Sequence, residues 1–89
     1  MTTKFNPGKM VMTPAFLDYM EQGCNPFELL ARHLHGDWGE MCEDDKKENE
    51  YALDKNLRIF SSYDTKFGKV WVITEADRSA TTFLLPSDY

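Results

Sequence analysis

After Asn56 the apolar residues change their period, and that change restricts the chain to a mixed helix-and-sheet fold. Downstream, Leu57, Ile59, Ser61 and Tyr63 alternate with Arg58, Phe60 and Ser62, and Val70, Val72 and Thr74 alternate with Trp71 and Ile73. A two-residue period is that of strands with two distinct faces. Residues 81–85 form a third β-prone run, halted by Pro86, and residues 64–68 supply a hairpin loop with glycine near its end. Upstream the period is helical. Thr13-Pro14 and Asn25-Pro26 each read as an N-cap followed by proline in the first turn, while Gly23 and Gly36 stand where helices stop. The spacing predicts a helix over 15–22 with Phe16, Tyr19 and Met20 on one face. A second follows over 27–35, striped by Phe27, Leu30, Ala31 and Leu34. A third, over 43–55, has only Tyr51, Ala52 and Leu53 to bury, and Met10-Val11-Met12 is a short edge-strand candidate. The expected architecture is α+β: two or three N-terminal helices packed on one face of a three-stranded antiparallel meander. At 89 residues, with six Phe, four Tyr, two Trp and five Met, there is material for one core and one domain spanning 1–89.

Charge narrows the function classes. The net charge of −5 disfavours direct nucleic-acid binding, which draws its affinity from Lys and Arg neutralising phosphates. The acid is concentrated between Asp37 and Asp54, where Asp37, Glu40, Glu43, Asp44, Asp45, Glu48, Glu50 and Asp54 face only Lys46 and Lys47. One reading is a solvated helix whose first turn suits the positive end of its dipole. The other is an acidic face for a basic partner. No apolar run is long enough to span a bilayer, and the first residues lack the apolar segment of a secretory signal, so a cytoplasmic protein is expected. Cys24 and Cys42 stand 18 positions apart with His33 and His35 between them, unlike the closely spaced pairs of a zinc site. No metal or cofactor is expected. Surface histidines and half-buried free thiols are.

Two segments carry more chemistry than a turn requires. Trp38 lies between glycines in Gly36-Asp37-Trp38-Gly39-Glu40, either as a core anchor or as an exposed partner contact. Glu75, Asp77, Arg78, Ser79, Thr81 and Thr82 link two strands. Either Asp77 or Ser79 caps the turn while Arg78 pairs with an acid, or Arg78 offers its planar fork to a carboxylate or phosphate. The candidate partner-binding set is therefore Asp37, Trp38, Glu43, Asp44, Asp45, Glu48, Glu75, Asp77 and Arg78. No nucleophile elbow or phosphate-cradling glycine loop occurs, so no catalytic residue is assigned. One enzymatic alternative is a metal-independent ribonuclease toxin with Arg58, Arg78, Thr81 and Tyr89 on its sheet, which the acidity opposes. A plain dimerising module is a third possibility.

The strings Gly36-Asp37-Trp38-Gly39 and Ile73-Thr74-Glu75-Ala76-Asp77-Arg78-Ser79, with Thr13-Pro14, Ala31-Arg32-His33, Asn49, Arg58-Ile59, Tyr63 and Leu84-Leu85-Pro86, extend over nearly the whole chain. In these the sequence resembles a family of small bacterial proteins of plasmids and other mobile elements, usually labelled only plasmid-related. The resemblance implies a bacterial, mobile-element setting and a cytoplasmic protein, and it implies no activity. With the acidic stretch, it suggests a binding protein that modulates a host or element-encoded protein with a basic surface.

Overall fold

The first two helices begin where their caps require in the computed structural model, which describes residues 3–89. Strand β1, Lys9–Met12, leads into helix α1, Pro14–Glu21, whose Thr13 hydroxyl accepts from the Phe16 N–H at 3.3 Å. Helix α2, Pro26–Leu34, is capped by the Asn25 carboxamide oxygen, which accepts from Phe27 N–H at 2.9 Å. Helix α3, Glu43–Lys55, has no side-chain cap. Glu43, Asp44 and Asp45 instead place negative charge on the orphan N–H groups of its first turn. Asn56 ends it in the left-handed region at φ +54°, where asparagine is among the few tolerated residues. Strands β2, Ile59–Thr65, β3, Gly68–Thr74, and β4, Ala80–Leu84, follow, and the chain closes with a 3₁₀ turn at Pro86–Asp88.

The α+β class holds, with three helices and a meander of β2, β3 and β4, but the sheet is four-stranded and mixed. Its order is β1-β4-β3-β2, and β1 runs parallel to β4 with Met10 opposite Thr81 and Met12 opposite Phe83. The expected three-stranded antiparallel sheet is corrected by this fourth strand. A parallel neighbour needs a long crossover, and here everything between β1 and β4 serves as one. Four residues alone do not announce which edge they will join.

Helices α1 and α2 cover one sheet face, where Phe16, Cys24, Leu29, Tyr63, Val70, Val72 and Phe83 form the main core and Phe16 stacks on Phe83 at 5.4 Å. The buried stripe of α2 is Pro26, Leu29 and His33, rotated one position from the expected one, and Phe27 is 65% exposed. The pattern misleads because a histidine on the inner face counts as polar while its hydrogen bonds are satisfied inside. His33 is thus not a surface residue, whereas His35 is exposed. Cys24 is buried and Cys42 exposed, both as free thiols. A second cluster of Trp38, Ala52 and Ile59, joined by Phe5, Met41 and Leu53, seats α3.

Helix α3 and the segment before it also close the β2 edge. Asn49 accepts from Phe60 N–H at 3.1 Å and donates its amide to the Phe60 carbonyl, imitating one residue of a neighbouring strand. Ser62 N–H donates to the Trp38 carbonyl, Glu40 N–H to the Ser62 carbonyl, and Asp64 N–H to the Glu40 carboxylate. The outward-facing backbone groups of Phe60 and Ser62 and the N–H of Asp64 are thereby occupied, which obstructs strand addition there. Gly39 makes the approach possible: at φ +80° a Cβ would stand 2.0 Å from the Ser62 carbonyl oxygen. Among the described residues no helix is long and apolar enough to cross a membrane.

Candidate partner-binding site

On the second sheet face, aromatic side chains lie between helix α3 and the returning 3₁₀ turn. Period two sends Phe60 from β2 and Trp71 from β3 to this face. The register sets them diagonally across the ladder, with centroids 4.9 Å apart and edges meeting. The chain returns after the 3₁₀ turn and lays Tyr89 against Trp71 at 5.5 Å. Arg58 donates to the Tyr89 hydroxyl at 2.7 Å, with its guanidinium 5.9 Å from that ring's centroid. Asp45, Glu48 and Asn49 of α3 and Met41 complete a cleft of about 370 Å³. Acid and aromatic surface therefore share one concavity.

The other carboxylates of the acidic stretch are mostly engaged. Asp37 holds Arg32 at 2.7 Å, and the guanidinium bond lowers its carboxyl below the usual range. Glu50 accepts from the Trp38 indole N–H at 2.9 Å, Glu43 sits 3.7 Å from Lys46, and Asp54 3.7 Å from Lys55. Asp44, Asp45 and Glu48 are exposed and enter no ion pair among the described residues. Tyr51, more than half exposed, stands on the same helix.

The remaining candidates are placed elsewhere. Trp38 is 4% exposed, its ring inside the second core cluster beside Phe5 and His33, so the anchor is the role the packing gives it. Glu75 and Asp77 are exposed in the β3–β4 turn, where Asp77 accepts from Ser79 N–H at 3.0 Å. Arg78 pairs with neither acid. It stands at φ +60° and donates to the carbonyls of Ala52, Leu57, Glu75 and Ala76. Its fork is spent on the C-terminal end of α3, about two turns along the helix from Asp45. The turn residues and the acidic first turn are therefore at opposite ends of α3 and make no common site.

Burial also removes Thr81 from the surface, into a polar chain that the sequence pattern did not reveal. The Pro7 carbonyl can only accept, so Thr81 donates to it at 2.7 Å and accepts from Thr74 at 2.7 Å. Thr74 in turn accepts from His33 Nε2–H at 2.9 Å, which leaves Nδ1 to accept from the Ser61 hydroxyl. His33, Ser61, Thr74 and Thr81 are each fully buried. Burial, with Arg78 adding positive charge nearby, lowers the imidazole to a pKa of about 3 and keeps it neutral. The only advance signal was a histidine beside a helical stripe facing hydroxyls at strand positions of one parity. Among the described residues no three His, Cys, Asp or Glu side chains gather as a metal site. Comparison with family models, curated proteins and solved structures gives no match.

Proposed function

We propose that this protein is a binding module whose acidic helix α3 docks a basic surface of a partner protein. The observation that carries this reading is the open edge of acid on α3. Asp44, Asp45 and Glu48 stand in solvent without an ion pair among the described residues, and two of them line a cleft floored by Phe60, Trp71 and Tyr89. A helix that served solubility alone would need no aromatic recess beside its unpaired carboxylates. Interfaces combine a few aromatic anchors with a charged rim. The setting implied by the Gly36–Gly39 and Ile73–Ser79 strings makes the partner a host or element-encoded protein whose action is modulated.

The test is affinity capture from a bacterial lysate at low and at high salt. A stoichiometric protein recovered at low salt and lost at high salt supports the reading, because steering between exposed charges is screened beyond about 10 Å at 0.1 M salt. Recovery of RNA, or of the bait alone, counts against it.

A further inference from the structure

The aromatic cleft has a charge and shape that select its occupant. Trp71 and Phe60 form its floor and Asp45 and Glu48 its helical wall. Arg58 closes one end, already committed to the Tyr89 hydroxyl and lying over that ring. The faces of these rings carry the negative end of a quadrupole. The walls add two carboxylates against one arginine, and the surrounding helix is acidic throughout its first turn. An anion would meet Asp45 and Glu48 directly. A purely apolar group would strip water from both carboxylates and return no partner to them. A cation satisfies both walls, and the cleft already holds one guanidinium beside an aromatic residue: Arg58 sits on the Tyr89 hydroxyl, 5.9 Å from that ring's centroid.

We infer that the cleft receives one cationic side chain, a lysine or arginine of the partner's basic segment, seated on Trp71 and Phe60 and paired with Asp45 and Glu48. The inference rests on the reading of α3 as the partner-facing surface and adds the pocket that would give it specificity. General attraction to α3 would come from Glu43 and Asp44 on its open side. Selection of one side chain would come from the cleft.

The two tryptophans separate these contributions. Trp38 is buried with its indole N–H on Glu50, whereas Trp71 is half-buried and lines the cleft. In ¹⁵N-resolved NMR the two indole N–H signals are followed while the capped peptide acetyl-(Gly-Arg-Lys)₃-amide is titrated in. The same peptide with glutamate at every basic position serves as control. The expected result is movement of the Trp71 indole and the Asp45 and Glu48 amides, a still Trp38 indole, and no response to the acidic peptide. The D45N/E48Q protein, its folding checked by an unchanged Trp38 signal, should bind at least tenfold more weakly. If the basic peptide shifts Glu43, Asp44 and Lys47 but leaves Trp71 in place, the cleft assignment fails while the acidic-surface reading stands. If nothing moves anywhere, both fail. If D45N/E48Q binds like the unmodified chain, the carboxylate wall is not the determinant and the assignment is overturned.

Discussion

His33 is the residue whose environment most changes what the chain tolerates. Its imidazole is held neutral in the fold at a pKa of about 3, against an ordinary value near 6.5 in an unfolded chain. Between those values the unfolded state takes up a proton that the folded state refuses. Stability is therefore complete above pH 6.5 and falls as the pH drops toward 3. The loss should reach about 2–3 kcal/mol at pH 4.5. Urea midpoints at pH 7 and pH 4.5 measure it, and H33Q, less stable at pH 7, should lose most of that slope. At Gly39 the constraint is steric. A methyl group 2.0 Å from the Ser62 carbonyl oxygen, on a backbone at φ +80°, cannot be placed without breaking the contact that covers the β2 edge. Gly39→Ala should cost about 2 kcal/mol or more in chemical denaturation. Glycine here was legible as punctuation around Trp38. The inward turn of His33 was not, because hydrophobic periodicity scores its ring as polar and cannot see the hydroxyls waiting across the sheet.

The elements were legible where local chemistry decided them. Thr13 and Asn25 cap their helices, Asn56 ends α3, and the alternation in β2 and β3 puts Ile59, Ser61, Tyr63, Val70, Val72 and Thr74 inside. What escaped was decided by distant partners: the parallel seat of β1 beside β4, the rotation of α2, and the second attachment of α3 through Asn49, beside the apolar contact of Ala52 and Leu53. Asn49→Asp preserves shape and the acceptor for Phe60 N–H but turns a carboxylate toward the Phe60 carbonyl. It should destabilise by about 2 kcal/mol, read from the thermal midpoint, and expose the strand edge to self-association. Arg78 binds the end of the same helix. Arg78→Lys keeps the charge but not the fork that reaches four carbonyls. It should fray residues 52–57 in amide exchange and destabilise by about 1–2 kcal/mol, while leaving partner capture intact.

At the scale of the whole molecule, one sheet face is consumed by the core and the other is left as a partly open aromatic surface under an acidic helix. The acidic run was visible in the sequence, as was each aromatic residue. Their meeting was not, since Asp45, Phe60, Trp71 and Tyr89 are brought together by helix placement, strand register and the returning C-terminal segment. The two acidic groups singled out from the sequence now separate: Glu43, Asp44, Asp45 and Glu48 flank the cleft end of α3, and Glu75 and Asp77 lie beyond its other end. The most direct measurement is capture of the lysate partner by two charge-reversed proteins side by side, E43K/D44K/E48K and E75K/D77K, each first shown to be folded. The account predicts that reversal on α3 abolishes capture and reversal in the turn leaves it unchanged. Capture that survives on the reversed helix, or is lost only with the reversed turn, would contradict it.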